Sequence, residues 1–233
     1  MAQARSARGS RAKASARSTT KSKTREPRSA NPSMEASSNT EARLLDCALT
    51  IFAEKGYSAT SVRQIIDAAG VTQPTLYYYC NDKADLFKRL VRQKYEESHQ
   101  QLDAVLQQIN GCEARLRTLV RRSFEYCVAD PRIPRLMFQT YFGPPIEGIA
   151  EFLAELTATR FALVIRLMRD GMKSGELKRA DPEFLALSFC NLMDQPINLF
   201  ARMPEPKRYL TTKLADAIVE LFLHGVGRAD NSI

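Results

Sequence analysis

A chain of 233 residues, 44% apolar and 26% charged, is long enough for one large or two small domains around a sizeable core. It has no apolar run near the ~18 residues of a helical membrane span, and its five scattered cysteines form no C-x-x-C pair or metal-ligand spacing, which reads as reduced thiols in a cytoplasm. The net charge of +8 is concentrated: nine of the 34 Lys and Arg but only two of the 26 acids lie in residues 1–39, leaving the rest at +1. Any DNA-binding surface in the folded part must therefore come from local arrangement.

Residues 1–38 are rich in Ala, Ser, Arg and Lys and almost free of large apolar groups, so they are expected to be a disordered basic tail. The favoured reading is a solvated segment attracted to DNA phosphates by counterion release. A translation start at Met34 and an Arg- and Ser-rich organellar transit peptide are the alternatives. Ser38 to Glu41 fits a capping box, and Leu45, Ala48, Leu49 and Phe52 then make one apolar helical stripe that Lys55 and Gly56 close. Thr60 is the expected cap of a second, short helix carrying Val62, Ile65, Ile66 and Ala69, which Gly70 ends. Thr72 caps a third, with Pro74 in its first turn, and Asn81-Asp82 stops it.

Two short helices joined by a glycine-containing turn describe a helix-turn-helix. Such a motif lays its second helix in the DNA major groove. Leu76 and Tyr79 are expected inward on Ile65, Ile66 and Leu45, and Thr72, Gln73, Thr75, Tyr77 and Tyr78 outward. Gln73 suits the bidentate edge of adenine and threonine methyls suit thymine. Tyrosine hydroxyls and Lys83 suit phosphate oxygens. The expected DNA-contacting set is Thr60, Ser61, Arg63, Thr72, Gln73, Pro74, Thr75, Tyr77, Tyr78 and Lys83.

Phe52, Gly56, Thr60, Val62, Ile65, Ala68, Ala69, Gly70, Val71, Thr75, Leu76, Tyr77, Tyr79, Lys83 and Leu86 stand in the register of a known pattern. The stretch from Leu44 to Leu90 resembles the DNA-binding domain of TetR-family (tetracycline-repressor-like) transcriptional regulators. Cys80 replaces the aromatic residue usual there, and Pro74 the common glycine or alanine. The resemblance implies a helical effector domain after Lys83, a homodimer formed by the last two helices, repression of a promoter and release by a small ligand.

Beyond Lys83 the periodicity stays helical: a helix to about Gln108, then 113–128, 133–141 and 146–172, the last broken by Gly171 and Gly175. Asp181-Pro182 opens another to about Met203, and the last runs from about Lys207 to Gly225. The expectation is an all-α protein of about nine helices, with a DNA-binding domain at 39–87 and an effector-binding and dimerisation domain at 88–228.

Ile197, Phe200, Leu214, Ile218, Leu221 and Phe222 are apolar beyond the needs of one monomer and are the expected dimer contacts, with ordinary intrachain core as the plainer reading. Phe124, Phe138, Tyr141, Phe142, Phe161 and Phe189, with Asn191 and Asp194, are the candidate lining of a pocket for a hydrophobic effector. The polar stripe of Asn191, Asp194, Gln195 and Asn198 also reads as a solvated face. Cys80 invites a thiol switch, although a lone cysteine is more often inert. No triad, metal constellation, phosphate loop or paired carboxylates appear, so neither an enzyme nor a cofactor is expected. The leading expectation is a cytoplasmic homodimeric repressor that binds double-stranded DNA at a palindromic operator and a small-molecule effector, without membrane attachment. A helical carrier with a vestigial helix-turn-helix is the alternative, and whether control is repression or activation depends on where the operator lies.

Overall fold

The computed structural model describes residues 32–143, 145–200 and 203–225; of the disordered tail expected over 1–38, residues 1–31 lie outside them, and 32–38 instead form the start of the first helix. Nine α-helices account for the regular structure among the described residues, with one 3-10 turn at Pro206–Arg208. In chain order they are α1 Pro32–Lys55, α2 Val62–Ala69, α3 Gln73–Tyr79, α4 Lys83–Gln107, α5 Cys112–Ala129, α6 Arg132–Phe142, α7 Ala150–Ser174, α8 Pro182–Phe200 and α9 Thr212–His224.

Several boundaries differ from the sequence expectation. Helix α1 begins at Pro32, so Ser38 to Glu41 lies inside it rather than capping it. The cap of α2 is Ser61, whose side chain accepts from Gln64 N while Gln64 Oε1 accepts from Ser61 N at 2.9 Å. Thr60 instead turns inward, 2% exposed, and its hydroxyl donates to Gly56 O at 2.7 Å. Gly171 does not break α7. It is a buried helical position where a Cβ would lie 2.5 Å from Cys112 Sγ and 2.9 Å from Leu177, so it lets α5 and the end of α7 approach closely. Helix α9 starts after the 3-10 turn, where Thr211 accepts from Leu214 N.

Two cores form. Leu44, Leu49 and Phe52 of α1 pack with Ile65 of α2, Leu76 of α3 and Phe87 and Leu90 of α4. This first core does not end with the DNA-binding segment: Leu136 of α6 and Phe152 and Leu153 of α7 belong to it, and α6 lies along α1. The second core joins α4, α5, α7, α8 and α9 through Leu106, Leu116, Val120, Phe124, Val164, Met168, Phe189 and Val219. Burying each such side chain contributes about 1.5–3 kcal/mol. Helix α4 passes from one core to the other, so the expected division at residue 87 falls within its first turns.

Candidate nucleic-acid interface

The turn between α2 and α3 is fixed by backbone geometry. Gly70 adopts φ 60°, ψ 37°, the left-handed region in which a Cβ is penalised, and Val71 N donates back to Ile66 O at 3.2 Å. That reversal sends the chain directly into α3. Thr72 Oγ1 then accepts from Thr75 N and shares a 2.8 Å hydrogen bond with Thr75 Oγ1, which fixes the first turn of α3. At the other end Cys80 N donates to Leu76 O, and Asp82 Oδ1 caps α4 by accepting from Asp85 N at 2.8 Å.

With its ends set, α3 divides by face. Leu76 is fully buried and Tyr79 packs half-buried against the first core, its ring edge-on to Tyr78. Gln73, Pro74, Tyr77 and Tyr78 lie at i, i+1, i+4 and i+5 and all are exposed, Tyr78 to 78%. Thr72, Ser61 and Arg63 extend the exposed surface; Arg63 comes only within 4.0 Å of Asp67, a loose pair in open solvent. The stretch from Val71 to Asn81 carries no acidic side chain.

The remaining expected contacts sit differently. Thr60 is buried, and Thr75 is half-buried with its hydroxyl engaged by Thr72. Lys83 folds its ammonium under the α1–α2 turn. Its Nζ donates to Tyr57 O at 3.0 Å and Thr60 O at 2.9 Å and stands 4.3 Å over the Tyr57 ring. Two of its three N–H donors are thus held inside the protein. Cys80 is buried with its thiol on Leu76 O, and burial pushes its pKa up to about 11, which keeps it protonated at neutral pH.

A second site lies between α6 and α7. Tyr141, Ile146, Leu153, Ala154, Thr157 and Phe161 are among the residues lining an open cleft of about 540 Å³. Of the aromatic residues expected in a pocket, Tyr141 and Phe161 line it. Phe124 and Phe189 are instead buried in the second core, because helices on every side cover them. Phe138 and Phe142 meet with ring centroids 4.8 Å apart and planes tilted by 32°, and Phe142 is 66% exposed. Asn191 faces solvent and donates to Leu187 O, whereas Asp194 pairs with Arg160. Among the described residues no cluster of His, Cys, Asp and Glu could hold a metal ion, and no helix is long and apolar enough to cross a membrane.

Helix α6 joins the cleft to α1. Arg132 Nη2 donates to Asp46 Oδ1 and Arg132 Nη1 to Thr50 Oγ1 on α1, while Gln139 Nε2 donates to Ala53 O. One residue further on, Thr140 and Tyr141 line the cleft.

Residues 44–90 match the family described as bacterial regulatory proteins, tetR family. The HTH-type transcriptional repressor KstR2 of Rhodococcus jostii is 32% identical over 146 residues, covering 63% of this chain and 72% of that protein. The chain belongs to the tetR family. The fatty acid metabolism regulator protein of Bacillus subtilis is 19% identical over 185 residues, covering 79% of this chain and 94% of that one. Among solved structures, FadR of Bacillus subtilis in complex with stearoyl-CoA superposes with a TM-score of 0.73 at 20% identity, covering 80% and 99% of the two chains. In the tetR family α2 and α3 are the helix-turn-helix of a DNA-binding transcriptional regulator, and further helices accompany it.

The last two helices carry apolar groups on their outer faces. Ile218 is buried inside its own subunit, and Phe222 packs edge-on against Phe189 at 5.0 Å, so both serve the second core. Phe200 stacks on Tyr209 at 4.6 Å, while Ile197 and Leu214 are half-buried. Leu221 is exposed, together with Leu199, Phe184 and Leu187 on α8. The sequence reading missed Phe184 and Leu187. They lie about three turns before the apolar cluster it singled out, on the same helix.

Proposed function

We propose that the protein is a ligand-responsive repressor that binds a near-palindromic operator as a homodimer and is released by a small hydrophobic effector in the α6–α7 cleft. The observation that carries this reading is the shared helix. A ligand entering the cleft presses on α6 and on Leu153, and both are packed into the core that holds the helix-turn-helix. A ligand that binds better to one arrangement of α6 shifts the balance between DNA-binding and released states.

Phe184, Leu187, Leu199 and Leu221 support a symmetric interface, since two copies would cover one another's exposed apolar faces. A dimer would present two α3 helices about 34–36 Å apart, or a multiple of that, matching an inverted repeat. The effector's hydrophobic character rests on the cleft walls and agrees with the acyl-CoA bound by the FadR structure. Selection from a pool of random duplex DNA, followed by sedimentation of the selected complex, tests the proposal. It predicts an inverted repeat carrying two chains or a multiple of two. A single unrepeated half-site bound by one chain would overturn it.

A further inference from the structure

A helix lying in the major groove has phosphates on both sides, and phosphate contacts supply much of any DNA affinity. The matched DNA-binding segment is poorly equipped for them. Residues 44–90 carry five Lys and Arg against five Asp and Glu, so their charges balance. Two of the five cations are already engaged. Lys83 holds the Tyr57 and Thr60 carbonyls, and Arg89 lies 3.1 Å from Glu41 and 3.9 Å from Asp85. Exposed Lys55 and Arg63 and half-buried Lys88 remain, with Arg63 beside Asp67. Helix α3 itself has no charged side chain.

Residues 1–31 carry the opposite inventory, nine Lys and Arg against one acid, Glu26, while the charges of residues 32–233 cancel. From Ala4 to Arg25 every residue is Ala, Gly, Ser, Thr, Lys or Arg. That stretch has no aromatic ring to stack on an unpaired base and no large apolar wedge to part a base step. What it offers is a cation every two to four residues. The segment runs straight into α1, which packs on α2 of the helix-turn-helix. Thirty-one residues span at most about 110 Å, ample for phosphates beside the bases that α3 faces.

We propose that residues 1–31 form a second, sequence-independent DNA-binding site that neutralises phosphates of the duplex flanking α3 and supplies most of the electrostatic affinity of the chain. The proposal rests on DNA binding alone, not on the effector or on the symmetry of the operator.

Affinity for random duplex DNA, measured by fluorescence anisotropy at salt concentrations from about 50 to 200 mM, tests this. Three proteins are compared: the full chain, a variant with all nine cations of residues 1–31 changed to Gln, and a variant with residues 2–31 scrambled. Each phosphate neutralised steepens the fall of log Kobs with log[salt] by about 0.9. The Gln variant should lose more than half of the full chain's slope, and the scrambled variant should keep it, with the melting temperature the same in all three. The Gln variant should also favour a selected operator over random duplex by the same factor as the full chain, since base reading stays on α3. A Gln variant that keeps half or more of the slope would overturn the proposal. A scrambled variant that loses the slope, or a Gln variant that loses the operator preference, would overturn sequence independence. If no operator can be selected with any of the three, the base-reading account of α3 fails, and the slopes on random duplex still decide the role of residues 1–31.

Discussion

Lys83 sits at the first position of α4 with its ammonium turned under the loop that joins α1 to α2, and it ties three helices together through two carbonyls and one aromatic face. Charge-assisted hydrogen bonds of this kind are worth about 1.5–3 kcal/mol each. Lys83→Met, which keeps the stem and loses the donors, should therefore lower the melting temperature by several degrees in the absence of DNA. Unchanged melting with weakened DNA binding would restore the phosphate role expected from sequence. Thr60 teaches the same lesson. A threonine just before a helix reads as a cap, but capping depends on which residue is extended at the boundary, and here Ser61 holds that position at φ −101°, ψ 152°.

At the scale of elements, the helix-turn-helix was legible because each signal is local: the Gly70 reversal, the Thr72 cap, the Asp82 cap and the spacing of Leu76 from Ile65. What the sequence did not show depends on distant partners. Gly171 read as a break because isolated glycines weaken helices, whereas Cys112, 59 residues away, requires it. Gly171→Ala should destabilise the protein by about 1–3 kcal/mol through this collision, measured by denaturant unfolding. Greater stability, as expected of glycine to alanine in an unobstructed helix, would contradict the close approach. The α6–α7 cleft was only half legible: aromatic residues marked the region, but nothing in a single sequence tells which of them other helices will cover.

Across the whole molecule, arginine–carboxylate clasps hold the helices in register. Arg121 grips Asp216 with two hydrogen bonds between α5 and α9, and Arg132 joins Asp130 to Asp46 of α1. Hydrogen bonds from Arg121 hold the Asp216 carboxyl below its ordinary range, and those from Arg132 do the same for Asp130. Both shifts are depressions, so their contribution is complete above the unfolded pKa of about 3.9 and fades as pH falls through the lower folded values. The melting temperature should be steady from neutral pH to about pH 5 and fall below about pH 4. Asp216→Asn should blunt that fall, and an equally steep fall in the variant would remove Asp216 from the explanation.

The same molecule-wide view places the functional division. Helix α3 carries an exposed face of Gln73, Pro74, Tyr77 and Tyr78, and an apolar cleft opens between α6 and α7, with α6 packed along α1. The decisive measurement is the affinity of Gln73→Ala, beside the unsubstituted chain, across a selected operator and all its single-position variants. If α3 reads base edges, Gln73→Ala loses discrimination at one or two positions by about 1–3 kcal/mol while the remaining preferences persist. A loss that is uniform across every operator variant would mean that Gln73 touches only the DNA backbone, contradicting the account of α3 as the reading helix.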